Sequence, residues 1–207
     1  MIAATAVLVL LAIVLLARRA PTFIDGSVTP SLYEWAHSNG GRWRFFLTVT
    51  HIGEALITTI IYLALVAVAL IRRKLVVAAW VLVTAAIYPS LSWVVKFLVN
   101  RQRPVTADPA LTFQQTSFPS GHSGSSMTVA LTVYFVLAMS THGWRRVAIG
   151  VVAFAVPALV GFSRMALGVH YPTDVLAGFC LSIAWAALTA FIVGKIAARA
   201  TEAKAIR

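Results

Sequence analysis

The chain has 207 residues, 60% of them hydrophobic and only 11% charged, with a formal net charge of +11. That balance excludes an ordinary soluble domain and reads as an integral membrane protein of one domain over residues 1–207. The cations lie mostly in short runs at the ends of apolar stretches, so their counterpart is anionic lipid rather than nucleic acid, and the single cysteine, Cys180, excludes an intrachain disulfide.

Six apolar stretches have the length of a membrane helix, about 20 residues and as few as about 17. They cover residues 2–17, 55–71, 75–99, 123–141, 147–162 and 175–194. The first reads as a retained helix rather than a signal peptide: it lacks a basic start, and Arg18-Arg19-Ala20-Pro21 follows it in place of a small-residue cleavage site. Between the first two stretches, residues 28–44 mix Tyr33, Trp35 and Trp43 with Glu34, Arg42 and Arg44. This composition predicts a short interfacial helix starting at Thr29-Pro30. Pro89 and Pro157 fall inside predicted spans and are expected to kink them, with neighbouring helices or Ser90 and Ser92 satisfying the freed carbonyls. The expected fold is therefore all-α, a bundle of six transmembrane helices with one short interfacial helix between the first two.

Three polar clusters interrupt this apolar chain. Lys96 and Arg103 are seven residues apart. If the third span runs past Val99 to a stop at Pro104, both project from one face about 10 Å apart. The alternative is a snorkelling lysine beside an ordinary flanking arginine. Pro119-Ser120-Gly121-His122 immediately precedes the fourth span. A helix start offers N–H groups to an anion, Gly121 lets the backbone approach closely, and Ser120 adds a hydroxyl; the alternative is a plain serine cap with an interfacial histidine. In the third cluster, His170 and Asp174 stand four apart at the start of the sixth span, with Arg164 before them. A carboxylate at that spacing can fix one imidazole nitrogen and leave the other free to attack, while a guanidinium fork matches phosphate oxygens. Asp174 could equally be a helix cap beside a surface histidine.

These residues resemble the type 2 phosphatidic acid phosphatase superfamily of membrane lipid phosphatases. Its signature is Lys, six residues, Arg-Pro; then Pro-Ser-Gly-His; then Ser-Arg, five residues, His, three residues, Asp. Lys96 to Arg103-Pro104, Pro119 to His122, and Ser163-Arg164 to His170 and Asp174 fit it throughout. The resemblance implies that Lys96, Arg103, Ser120, the Gly121 N–H and Arg164 bind phosphate. It further implies that His170, oriented by Asp174, attacks phosphorus; that His122 protonates the leaving lipid alkoxide; and that water hydrolyses the phosphohistidine. No metal or other cofactor is expected, because the cations supply the charge. Implied substrates are phosphatidylglycerophosphate, phosphatidic acid and undecaprenyl diphosphate, with the lipid tail entering sideways between helices.

Basic residues set the expected orientation. With the amino terminus cytoplasmic, nine cations lie inside, from Arg72-Arg73-Lys74, Arg145-Arg146, Lys195, Arg199, Lys204 and Arg207. Setting Lys96, Arg103 and Arg164 aside as site residues leaves five outside: Arg18, Arg19, Arg42, Arg44 and Arg101. Both termini are then cytoplasmic, and all three clusters share the outer face of a bacterial-type cytoplasmic membrane. His51 and Glu54 read as solvated interfacial groups or as the rim of a substrate entrance, and His142 has no assigned role. Rival readings are a lipid phosphotransferase using the same phosphohistidine, a transporter or lipid-binding protein, and a vanadium haloperoxidase, a class that is typically soluble. Oligomeric state leaves no mark in the sequence.

Overall fold

The structure, a computed structural model, describes residues 22–112, 116–138 and 141–205, so the expected span at 2–17 lies outside the described residues. Among the described residues the regular elements are helices, accompanied by one antiparallel bridge between Gln102 and Thr116. In chain order they are α1 (Phe23–His37), α2 (Gly40–Thr50), a 3-10 turn (His51–Gly53), α3 (Ala55–Ile71), α4 (Leu75–Val99), a second 3-10 turn (Pro109–Leu111), α5 (Gly121–Ala138), α6 (Gly143–Ala166) and α7 (Pro172–Ala205).

The predicted interfacial helix is instead a helical hairpin that begins earlier. Thr22 and Asp25 form a reciprocal capping box: the Thr22 hydroxyl accepts from the Asp25 N–H, and the Asp25 carboxylate accepts from the Thr22 N–H. Thr29-Pro30 consequently lies within α1 rather than at its start. The hairpin breaks at Ser38-Asn39, where the Asn39 side chain accepts from the N–H groups of Gly41 and Arg42 and starts α2. Ala36 and Phe46 of the hairpin pack with Ala166, Leu167 and Val169, tying it to the α6–α7 corner. Gly168 at that corner has φ +67°, and a Cβ there would lie 2.6 Å from Thr106 Oγ1, so both backbone and space favour glycine.

α4, α6 and α7 are long and apolar enough to cross a membrane. α2 with its 3-10 turn and α3 meets the same standard only as a pair, bent by 46°. α3 and α4 begin and end where the apolar runs predict, at 55–71 and 75–99. Leu56, Leu63, Ile71, Leu75 and Phe97 are more than half exposed, as lipid-facing side chains would be. α5 is shorter and different in character. It packs against α3, α4, α6 and α7, and its buried Ser123, Ser126, Thr128 and Thr132 form a polar seam. The Thr128 and Thr132 hydroxyls bond to carbonyls one turn earlier, so they need no partner from another helix. Small residues let helices approach: the α5–α7 crossing places Gly124 against Gly178, and a Cβ at Gly178 would lie 2.6 Å from the Ser120 carbonyl.

Pro89 and Pro157 sit inside α4 and α6, which run on through them. Ser92 does not serve the freed carbonyls as expected, since its hydroxyl is buried without a partner among the described residues. The Trp185 indole N–H from α7 donates to the Thr84 carbonyl, five residues before Pro89.

Candidate active site

Helix α4 stops sooner than the spacing of Lys96 and Arg103 predicts. Asn100 takes the left-handed conformation (φ 48°, ψ 42°) and its N–H closes on the Lys96 carbonyl, ending the helix at Val99. Lys96 therefore projects from the last turn, while Arg103 comes from the following loop. The Ser117 N–H, donating to the Arg101 carbonyl at 2.8 Å, pins that loop beside the Gln102–Thr116 bridge.

Arg103 reaches His170 from this loop. Its Nη1 donates to the Val169 carbonyl at 2.8 Å and lies 3.3 Å from His170 Nε2. A guanidinium can only donate, so His170 Nε2 carries a lone pair and the imidazole proton resides on Nδ1. Nδ1 faces Asp174 Oδ2 at 3.4 Å, a long contact across one helical turn. Burial, together with Arg103, Arg164 and Lys96 nearby, holds the buried His170 well below its ordinary value of 6.5. The imidazole is thus neutral, with Nδ1 directed at Asp174 and the Nε2 lone pair facing Arg103.

Asp174 is fixed from several sides. The Tyr171 N–H donates to Oδ2 at 2.9 Å, Arg101 Nη1 donates to Oδ1 at 2.9 Å, and the Asp174 carbonyl accepts from the Ser120 N–H at 2.9 Å. The last bond joins the second motif to the third. The Ser120 side chain is buried; it caps α5 by accepting from the Ser123 N–H at 3.5 Å and accepts from the Ser123 hydroxyl at 2.9 Å, which leaves its own hydrogen for a further acceptor. Gly121 and His122 occupy the first turn of α5, where N–H groups lack intrahelical acceptors, and a Cβ at Gly121 would meet nothing within 4 Å.

Arg164, buried near the end of α6, is held by two contacts: Nη1 donates to the Thr50 hydroxyl at 2.8 Å and Nη2 to the Leu111 carbonyl at 3.4 Å. Its Nε is buried without a partner among the described residues. Lys96 Nζ donates to the Thr116 and Ser117 carbonyls at 3.3 and 3.4 Å, both long. Lys96, Gly121 and His122 also line a cavity of about 530 Å3 that runs down between α3 and α4. Close to them its wall carries Thr58, Ser92 and Ser125; farther down come Leu63, Val66 and Leu82. Leu63, Leu82 and Trp93 on its walls are more than half exposed, so the cavity opens sideways, where a bilayer would lie.

Other candidates stand beside the site or apart from it. His51 Nδ1 and Glu54 Oε1 bond to each other at 2.6 Å on the exposed 3-10 turn, whose Gly53 packs against His122. Asp108 caps the short turn at Pro109, and His142 precedes α6. Sequence reasoning missed Arg101 and Asp25. Arg101, read as an ordinary outer cation, is buried and paired with both Asp174 and Asp25. The signal was the cost of burying charge: a chain with six acidic residues in 207 does not place one in its interior without a partner. Among the described residues, no three His, Cys, Asp or Glu side chains gather as a metal site would require.

A family model described as the PAP2 superfamily matches residues 73–197. Phosphatidylglycerophosphatase B of Bacillus subtilis is 38% identical over 98 residues, covering 45% of this chain and 46% of that protein, so the chain aligns with about half of that relative's length. Decaprenylphosphoryl-5-phosphoribose phosphatase of Mycobacterium tuberculosis is 34% identical over 140 residues, covering 64% of this chain and 70% of the relative. Among solved structures, the transmembrane PAP2 type phosphatidylglycerolphosphate phosphatase from Bacillus subtilis superposes with a TM-score of 0.72 at 26% identity, covering 92% of this chain and 96% of that one.

Proposed function

The chain belongs to the PAP2 superfamily, and from that premise we propose that it is a membrane phosphatase that removes the terminal phosphate of a lipid phosphate or diphosphate through a phosphohistidine. The observation that carries this reading is the approach of Arg103 to His170 Nε2, which puts a phosphate-binding cation beside an unprotonated nucleophile.

The phosphate binds among Lys96, Arg103, Arg164, the Ser120 hydroxyl and the Gly121 N–H. These donors carry the charge that magnesium carries in other phosphoryl transfers. Burial and the nearby cations lower the His122 pKa to about 3 in the phosphate-free site, so His122 takes its proton from the incoming phosphate monoanion. As phosphate draws Arg103 off, His170 Nε2 attacks phosphorus while the bond to the lipid oxygen breaks, and His122 gives that proton to the departing alkoxide. The phosphorylated imidazole retains its Nδ1 proton and becomes cationic, a charge that Asp174 offsets. His122, now neutral, takes a proton from water; the new P–O bond forms, the P–N bond breaks, and His170 returns to its neutral form.

The cavity below the phosphate-binding groups supports a lipid substrate. Its sideways opening between α3 and α4 suits an acyl or isoprenyl tail that stays in the bilayer, because moving such a tail into water costs about 0.8 kcal/mol per CH2. Phosphatidylglycerophosphate, phosphatidic acid, undecaprenyl diphosphate and a decaprenylphosphoryl phosphoribose are the substrates to test. The site faces the outer side of the cytoplasmic membrane, with the carboxyl terminus inside. Purified protein should release inorganic phosphate from at least one member of that panel in the presence of a chelator. Label from a radioactive donor appearing in a second lipid would replace hydrolysis with phosphotransfer, and restoration of a chelator-blocked activity by magnesium would defeat the metal-free account.

A further inference from the structure

We propose that Asp25, on α1, is a positioning residue for phosphoryl transfer: it holds Arg101 against Asp174 and keeps the carboxylate side of the site net negative beneath His170. The proposal rests on the phosphatase reading above and extends it to a helix outside the three signature clusters.

Asp25 is fully buried, although it belongs to a hairpin whose other polar residues are largely exposed. Its Oδ2 accepts from Arg101 Nη2 at 2.7 Å, from the Thr173 hydroxyl at 2.8 Å and from the Thr22 N–H at 3.0 Å, while Oδ1 accepts from the Thr173 N–H at 3.1 Å. Arg101 uses its other terminal nitrogen on the catalytic side, donating to Asp174 Oδ1 at 2.9 Å and to the Thr173 hydroxyl at 2.7 Å. The guanidinium also lies over the Tyr171 ring, 4.8 Å from its centroid. The result is one connected chain, Asp25 to Arg101 to Asp174 to His170, joining residues 25 and 170 of the sequence. Burial would raise the Asp25 pKa, but the Thr173 and Thr22 donors and Arg101 outweigh it and hold the carboxyl below its ordinary range, so it carries charge.

That charge matters for the chemistry. Arg101 paired with Asp174 alone would be electrically neutral and would draw on the carboxylate that faces His170. Shared between two carboxylates, the same guanidinium leaves the triad with negative charge to spare. The surplus is needed when attack on phosphorus leaves a positive charge on the imidazole, in a site already holding Lys96, Arg103 and Arg164. Asp25 reaches the reaction only through Arg101 and Asp174, and it does not touch the phosphate groups.

Kinetics of the full-length protein in lipid nanodiscs test this, with wild type, Asp25→Asn, Asp174→Asn and the double variant assayed on the same lipid phosphate. Asp25→Asn is expected to lower kcat about 10- to 100-fold, as loss of supporting partners does elsewhere, with KM changed less than about threefold. In the Asp174→Asn background the same substitution should cost less than about threefold, because the group it acts through is gone. Undiminished kcat in Asp25→Asn, or an equal loss in both backgrounds, would overturn the proposal, the second outcome marking a merely structural role. If Asp25→Asn does not fold, Thr173→Val removes the hydroxyl linking the two charges and is read by the same cycle. Absence of wild-type phosphate release would sink the phosphatase reading itself, whereas a fully active Asp25→Asn beside an impaired Asp174→Asn sinks only this inference.

Discussion

His170 and Asp174 sit among groups already bonded to one another, whereas Lys96 and the start of α5 line a cavity with donors to spare. On the first side Asp174 takes bonds from Arg101 and the Tyr171 N–H, and Arg103 meets His170 at Nε2. On the second, Lys96 makes two long contacts to carbonyls, and Arg164 Nε, like Arg101 Nε on the first side, is buried without a partner among the described residues. A nucleophile benefits from one fixed orientation before substrate arrives, so its partners are supplied by the protein. Phosphate donors benefit from being unspent, because each bond they make in the empty site must be given up on binding.

Substitutions can break either side. His122→Ala should show the largest effect of the four considered next, a loss of about 10^2- to 10^4-fold on an alkyl lipid phosphate and far less on an aryl phosphate, whose leaving group needs no proton. Equal losses on both substrates would contradict its role as the acid. Arg103→Lys keeps the charge but replaces the planar guanidinium, whose Nη1 meets both the Val169 carbonyl and His170 Nε2, with a point-like ammonium. It should lower kcat/KM roughly 10- to 100-fold, more than a simple charge requirement allows.

Two smaller effects sharpen the picture of a preset nucleophile. Gly178→Ala drives a Cβ toward the Ser120 carbonyl at the joint between the second and third motifs. It should cost about 1–3 kcal/mol of stability, read as a fall in Tm, with activity falling alongside; an unchanged Tm would mean that the crossing is looser than described. The smallest effect is a titration. In the proposed mechanism His170 must be neutral to attack, so activity is lost as pH falls through its pKa, which burial and the nearby cations push well below 6.5. Imidazole nitrogen shifts in phosphate-free protein should therefore show His170 still unprotonated at pH 6.5, and a midpoint there would contradict the assigned environment.

Much of this arrangement was legible from local patterns. α3 and α4 match the apolar runs at 55–71 and 75–99 because Arg72-Arg73-Lys74 and Asn100 interrupt them sharply. The three clusters were found because polar groups in an apolar chain carry a cost that function can explain. The common helical face of Lys96 and Arg103 was wrong for a local reason: one left-handed residue, Asn100, redirects the chain, and side-chain spacing does not register it. The single helix predicted over 28–44 overlooked the break announced by Ser38-Asn39-Gly40-Gly41. Asp25 and Arg101 were missed for a different reason. Their pairing crosses 76 positions, and no periodicity links two charges brought together only by the packing of α1 over the α7 start.

Trapping the intermediate tests the central claim most directly. With a lipid substrate labelled in its terminal phosphate, rapid quenching in alkaline detergent should leave label on the protein as an alkali-stable, acid-labile phosphohistidine. His170→Ala should abolish it together with phosphate release, a loss on the order of 10^4-fold or more in turnover. Release that continues in His170→Ala, or a wild type that turns over without ever carrying label, would contradict the account.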